Sequence, residues 1–216
     1  MNYIFFYFLF IFLSTNLYAA NLVPEEMIGT NRVEFAPMKV QDRLEGCSLT
    51  FNNIVRDQVY QNGAYVYVGG YISIYKNPKG VVFGIKVGTK NLEDSQPKKP
   101  NFAYLQTVTA TTSKIKPEIF DIDGDGFKLF IYQFDDEIIK IYEEMLEFNK
   151  ATIGFNRKSG GLDLMVPVDL TVKDVVIEDK KIKKIYSPEM VLEFSNCSIQ
   201  IFEEALTASP SDTPKN

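Results

Sequence analysis

The chain has 216 residues, 23 of them Lys or Arg and 28 Asp or Glu, which gives a formal charge of −5 at pH 7, and it contains neither His nor Trp. That balance offers no electrostatic footing for a nucleic-acid role. The lack of His removes Ser-His-Asp and Cys-His catalysis together with the commonest zinc ligand, and no spacing isolates a carboxylate pair of the kind glycosidases use, so a non-enzymatic protein is expected.

Residues 1–20 carry no charged side chain, and Tyr3 to Leu13 is a nearly unbroken run of Ile, Leu, Phe and Tyr. The run is short for a bilayer span and leads through Ser14, Thr15 and Asn16 to Leu17-Tyr18-Ala19-Ala20, a pattern suited to signal-peptidase cleavage after Ala19 or Ala20. A signal peptide over 1–20 is expected, hence a periplasmic or secreted protein. Because the segment has no Lys or Arg ahead of its apolar run, an uncleaved membrane anchor is the alternative. The remaining chain of about 196 residues suits one domain, or at most two small ones.

Residues 21–46, with Pro24, Gly29 and Pro37, read as an irregular arm. A β-rich domain is expected over 47–206. It opens with Cys47, Leu49 and Phe51 alternating with Ser48, Thr50 and Asn52, the pattern of a strand with one buried face. Further on, Val66, Val68, Ile72 and Ile74 share one parity, and Tyr65, Tyr67, Tyr71 and Tyr75 the other. Gly69-Gly70 predicts a bulge or bend in this strand, and Asn77-Pro78-Lys79-Gly80 a turn into Val81, Phe83, Ile85 and Val87.

After a polar loop over 88–100, Phe102 to Thr112 reads as strand. Phe127 to Phe134 is apolar on both parities, which predicts a central strand covered on both sides. Asp135 or Asp136 caps a helix running to about Asn149, with Ile138, Ile141, Tyr142, Met145 and Leu146 at helical spacing. A second hairpin joins Thr152–Phe155 to Leu162–Leu170 across Lys158-Ser159-Gly160-Gly161, and Pro167 puts its second strand at a sheet edge. Ser187 caps and Pro188 opens a last helix whose Met190, Phe194, Cys197, Ile201 and Ala205 share a face. From 207 to 216, Ser, Pro, Asp, Thr and Lys predict a disordered tail. The expected fold is mainly β with two helices, an antiparallel sandwich or open barrel of roughly eight strands.

Cys47 and Cys197 each fall on the apolar face of their element, and in an exported chain pairing is the expectation. Closing so long a loop stabilises by at most on the order of 5 kcal/mol. Two buried thiols, or a link to another chain, are the alternatives.

Three groups stand out as candidate sites. Asp121-Ile122-Asp123-Gly124-Asp125-Gly126 matches the first half of a calcium loop, so Asp121, Asp123 and Asp125 are candidate calcium ligands. A standard loop would need further ligands at Leu129 and Tyr132, which lie in an apolar strand, and the plain alternative is an acidic turn. Tyr65, Tyr67, Tyr71 and Tyr75 form a phenolic stripe that could stack on sugar rings, anchor a protein partner, or lie half-buried under other structure. Lys180, Lys181, Lys183 and Lys184, interleaved with Ile182 and Ile185, read as a solvated strand face rather than an anion site.

Taken together, the exported chain, the Cys that opens a first strand, and Phe194-Ser195-Asn196-Cys197 in a late helix resemble the N-terminal domain of MotY-type flagellar T-ring proteins, over Cys47 to about Leu206. The resemblance implies a β-rich periplasmic module with a disulfide, which docks to the basal body and recruits the stator, and it gives Cys47 and Cys197 a structural role only. The chain departs from that family in lacking the peptidoglycan-binding domain that normally follows. The expectation is therefore a stand-alone accessory of an envelope-spanning assembly, a flagellar motor or a secretion apparatus, with protein components as partners. The alternative is a glycan or small-ligand binder, peptidoglycan included, assisted by calcium.

Overall fold

The computed structural model describes residues 23–78, 80–93, 97–121 and 126–207. The expected signal peptide, the tail beyond Thr207, and Asp123 and Asp125 lie outside them.

Among the described residues twelve strands and two α-helices follow one another: β1 (Gly29–Val40), β2 (Arg43–Asp57), β3 (Ala64–Asn77), β4 (Gly80–Asn91), β5 (Pro97–Lys98), β6 (Phe102–Gln106), β7 (Glu118–Asp121), β8 (Phe127–Gln133), α1 (Asp136–Phe148), β9 (Lys150–Asn156), β10 (Leu164–Asp169), β11 (Val172–Glu178), β12 (Lys181–Tyr186) and α2 (Glu189–Thr207). The large antiparallel sheet runs β1-β2-β3-β4-β8-β7, with β5 paired to the end of β4. A three-stranded sheet runs β10-β9-β6, and β11-β12 form a separate ribbon.

Period-two burial decides the layering. Leu49, Phe51, Val66, Val68, Ile72, Ile74, Phe83 and Ile85 are buried on one face of the large sheet. They meet Leu105, Ile153, Phe155, Val166 and Val168 of the small sheet and Val191, Phe194 and Ile201 of α2 in one core. The Phe102 and Phe130 rings meet edge to face at 6.1 Å across the sheets. The Tyr132 hydroxyl, unable to reach water, donates to the Ala103 carbonyl at 2.8 Å. Neither sheet closes on itself, so the architecture is an open, sandwich-like pair of antiparallel sheets with two helices. Asp135 caps α1 by accepting from the Ile138 amide at 3.0 Å.

Cys47 and Cys197 form the disulfide, with Cα atoms 6.1 Å apart, and tie the middle of α2 to β2. Cys47 is fully buried, and Cys197 is partly open beside a cleft of about 1300 Å³ between α2 and the ends of the first two hairpins.

Several expectations need correction, among them the strand read over Phe102–Thr112, which ends at Gln106, and the loop read over 88–100, into which β4 runs as far as Asn91. The stretch read as an irregular arm contains β1, twelve residues long, so Cys47 lies within the second strand rather than opening the first. Pro37 is compatible with β1 because β1 is a sheet edge. The strands number twelve rather than about eight, because β5, β7 and the β11–β12 ribbon are short or polar and carry little periodicity. The register of β3 against β2 and β4 runs unbroken through Gly69 and Gly70, so these residues make no bulge. A Cβ on Gly70 would sit 1.9 Å from the Lys86 carbonyl oxygen, so this glycine admits a close approach of β4. Finally, β8 is covered on one face only. Phe130 and Tyr132 are buried, while Phe127, Leu129 and Ile131 are half-buried on the opposite face.

Candidate docking surface

Strand pairing fixes which side chains share the uncovered face of the large sheet. Across the strands, one row reads Thr50, Tyr71, Lys86, Leu129 and Phe120. The next row towards the β2–β3 turn reads Asn52, Gly69, Gly88 and Phe127, followed by Ile54, Tyr67 and Lys90, and then Arg56 and Tyr65. On the other side, Tyr75 stands opposite Val82. All four tyrosines of the stripe therefore lie on this face, joined by Phe127, Leu129 and Phe120 from β8 and β7. The four tyrosines are half-buried, and at the Tyr75 end Ser73, Val82 and the Tyr75 hydroxyl itself are buried on this face.

The rings are held down rather than projecting. Gly69 leaves a gap beside Tyr67, and a Cβ there would meet the Tyr67 hydroxyl oxygen at 2.8 Å and its Cε1 at 2.9 Å. Gly88 does the same for Phe127, whose Cδ1 would be 2.7 Å from an added Cβ, and Gly84 for Tyr75 at 3.1 Å. An aromatic ring covering a strand glycine buries backbone that would otherwise be bare. Polar contacts fix the same rings. The Tyr67 hydroxyl donates to the Asn52 side-chain oxygen. Arg56 Nε donates to the Tyr65 hydroxyl at 3.0 Å, with the guanidinium 5.0 Å from the ring centre. Lys86 Nζ lies 4.6 Å from the centre of Phe127 and 5.8 Å from that of Tyr71, a cation shared between two π faces.

Partial burial leaves a chemical mark. Desolvation raises the Tyr67 and Tyr71 phenols above their ordinary value. It pushes Tyr75 to about 12, with the Tyr71 and Glu118 charges acting in the same direction. The phenols are thus neutral over the physiological range, and with the Tyr67 hydroxyl bonded to Asn52 and that of Tyr75 buried, these rings offer stacking surface.

The other two candidate groups are not drawn into this surface. Asp121 ends β7 with its Oδ1 3.8 Å from Lys99 Nζ and 3.9 Å from Lys128 Nζ, and its proposed companions Asp123 and Asp125 lie outside the described residues. The lysine cluster sits on the β11–β12 ribbon and divides by role. Lys184 donates to the Ile28 carbonyl at 2.8 Å, its pKa lowered by burial. Lys183 pairs with Glu178 at 2.8 Å across the ribbon, while Lys180 and Lys181 are exposed at the tip. Lys86, Phe120, Phe127 and Leu129 were missed as surface residues, and the signal for them was the pairing of β4 with β8 and β7, which no local pattern carries.

No family model, no curated protein and no solved structure matches the chain.

Proposed function

We propose that the protein is a non-enzymatic accessory module of an envelope-spanning assembly, a flagellar motor or a secretion apparatus, that docks a protein partner on the open face of its large sheet. The observation that carries this is the preset aromatic platform in which Tyr67, Tyr75 and Phe127 are seated over glycines, Arg56 clamps Tyr65, and Lys86 clamps Tyr71 and Phe127. Tyr and Arg dominate the energetics of protein interfaces, and side chains already immobile lose little entropy on binding. The disulfide is compatible with an oxidising compartment, as the leader-like N-terminus suggests.

Co-purification from chemically crosslinked envelopes tests the proposal. The wild-type protein should bring down a defined partner that a Tyr71→Ser, Phe127→Ser variant loses. A wild-type protein that stays partnerless would sink it.

A second reading is favoured by the way the rings lie along the sheet, which leaves their outer faces free to stack on sugar rings. Calorimetry with soluble peptidoglycan fragments, with and without calcium, separates the two. Heat that disappears in the Tyr71→Ser, Phe127→Ser variant would support a glycan, and calcium dependence would bring in the turn that Asp121 opens.

A further inference from the structure

The half of the tyrosine face away from Tyr75 sets each ring against a cation. Across the strands Tyr65 stands opposite Arg56, Tyr67 opposite Lys90 and Tyr71 opposite Lys86. Arg56 and Lys90 are exposed, one on each side of the stripe, with Cα atoms roughly 12 Å apart by strand spacing and rise. Lys86 is half-buried between the Tyr71 and Phe127 rings.

Elsewhere many basic side chains meet a carboxylate: Arg32 pairs with Glu34, Lys76 with Glu204, Arg157 with Asp57, Lys173 with Glu189 and Lys183 with Glu178. Arg56 and Lys90 have no such partner among the described residues, although acidic side chains outnumber basic ones by 28 to 23. Arg56 spends only its Nε on the Tyr65 hydroxyl, and its other guanidinium donors remain for a ligand. Strand pairing puts two carboxylates on this face, both away from that end. Glu34 is held by Arg32 at 2.6 Å, and Glu118 stands opposite Ile131, where its charge acts on Tyr75.

Given docking on this face, we infer that the partner meets the Tyr65–Tyr71 half with an acidic protein segment, whose carboxylates reach Arg56 and Lys90 while its backbone lies on the rings. The Tyr65 ring, 5.0 Å from the Arg56 guanidinium, holds that cation in place without neutralising it. Charges so placed set the register of docking and speed encounter more than they add affinity. A second copy docked face to face would bring a platform of the same charge, which like-charge repulsion disfavours.

The test uses the full-length protein with a benzophenone side chain at position 71, photolysed in isolated envelopes. The protein adduct should fall several-fold between 50 and 300 mM salt. Arg56→Gln with Lys90→Gln should lower it several-fold at 50 mM salt with an unchanged melting temperature. Arg56→Lys with Lys90→Arg keeps both charges and should retain the adduct, which separates charge from the hydrogen bond to Tyr65. Lys180→Gln with Lys181→Gln makes the same change in net charge on the β11–β12 ribbon and should also retain it. Mass spectrometry of the adduct should place Asp or Glu within a few residues of the attachment point on the partner. An adduct that survives both salt and the Gln pair would leave the docking face standing and overturn the acidic partner. Equal loss in the ribbon variant, a contact peptide without carboxylates, or an adduct that collapses under a muramidase would overturn it too, the last in favour of an anionic glycan. No adduct from the wild-type background at any salt would remove the docking face itself.

Discussion

The ring of Tyr67 occupies the space that a side chain at Gly69 would fill, two residues ahead on the same strand. Its immediate neighbour Gly70 faces the other way, against the Lys86 carbonyl. Adjacent glycines therefore serve different needs, one keeping an aromatic ring flat and the other letting two strands approach.

Substituting them should have opposite consequences. In Gly69→Ala the new Cβ meets the far end of a side chain that can swing away, so stability should fall by less than about 1 kcal/mol. The lifted Tyr67 phenol should titrate closer to its ordinary value, read by ultraviolet difference spectra. In Gly70→Ala the Cβ would meet backbone at 1.9 Å, and a loss at the upper end of the overpacking range, about 3 kcal/mol, is expected in urea denaturation.

The buried Asp57 accepts from the Val59 and Tyr60 amides at 3.1 and 2.7 Å and pairs with Arg157 at 3.1 Å. The pair joins the end of β2 to the start of the β9–β10 turn, with Arg157 also stacked 5.3 Å from the centre of Tyr60. Arg157→Met strands a buried carboxylate and should cost about 3–5 kcal/mol. Asp57→Asn combined with Arg157→Met should recover much of that loss, and equal melting of the single and double variants would show the pair to be uncoupled.

Opening the disulfide should lower stability by at most about 5 kcal/mol without unfolding α2, whose Val191, Phe194 and Ile201 remain in the core. Reducing thiols should attack the Cys197 sulfur, which borders the open cleft, and expel Cys47, which is buried. Mass spectrometry of trapped mixed disulfides checks this, and an adduct on Cys47 would contradict it.

The Glu144 carboxylate is held at a pKa of about 2 by hydrogen bonds from the Thr109 hydroxyl, the Thr109 amide and the Thr107 hydroxyl. Its folded pKa lies below the ordinary value of 4.5. The tie between α1 and the Thr107–Ala110 turn is therefore fully present above pH 4.5 and is lost as pH falls towards 2. The Thr109 amide resonance should titrate with that low midpoint. Glu144→Gln should abolish the titration and speed exchange of this amide at neutral pH.

Legibility in the sequence followed the physics of each element. The β3 alternation, the Asp135 cap and the apolar face of α2 were plain, because burial on one side imposes a period. The Cys47–Cys197 pair was legible for the same reason, each Cys falling on an apolar face. β1 was not, since Glu34, Pro37 and Lys39 on an edge strand break the pattern that core strands keep. The coverage of β8 differs from the expectation because Phe127, Leu129 and Ile131 are apolar on a half-buried outer face, and sequence periodicity does not distinguish that from burial in the core. The tyrosine stripe was visible as a stripe, but its role as part of a wider platform depends on a register that only tertiary pairing supplies.

The most direct test of the docking face is photo-crosslinking in intact envelopes from a benzophenone side chain placed at position 71, with position 158 at the exposed β9–β10 turn as the control. A single discrete adduct from 71 and none from 158 is the predicted result. Adducts from both positions, or from neither, would contradict the assignment of the open sheet face as the docking surface.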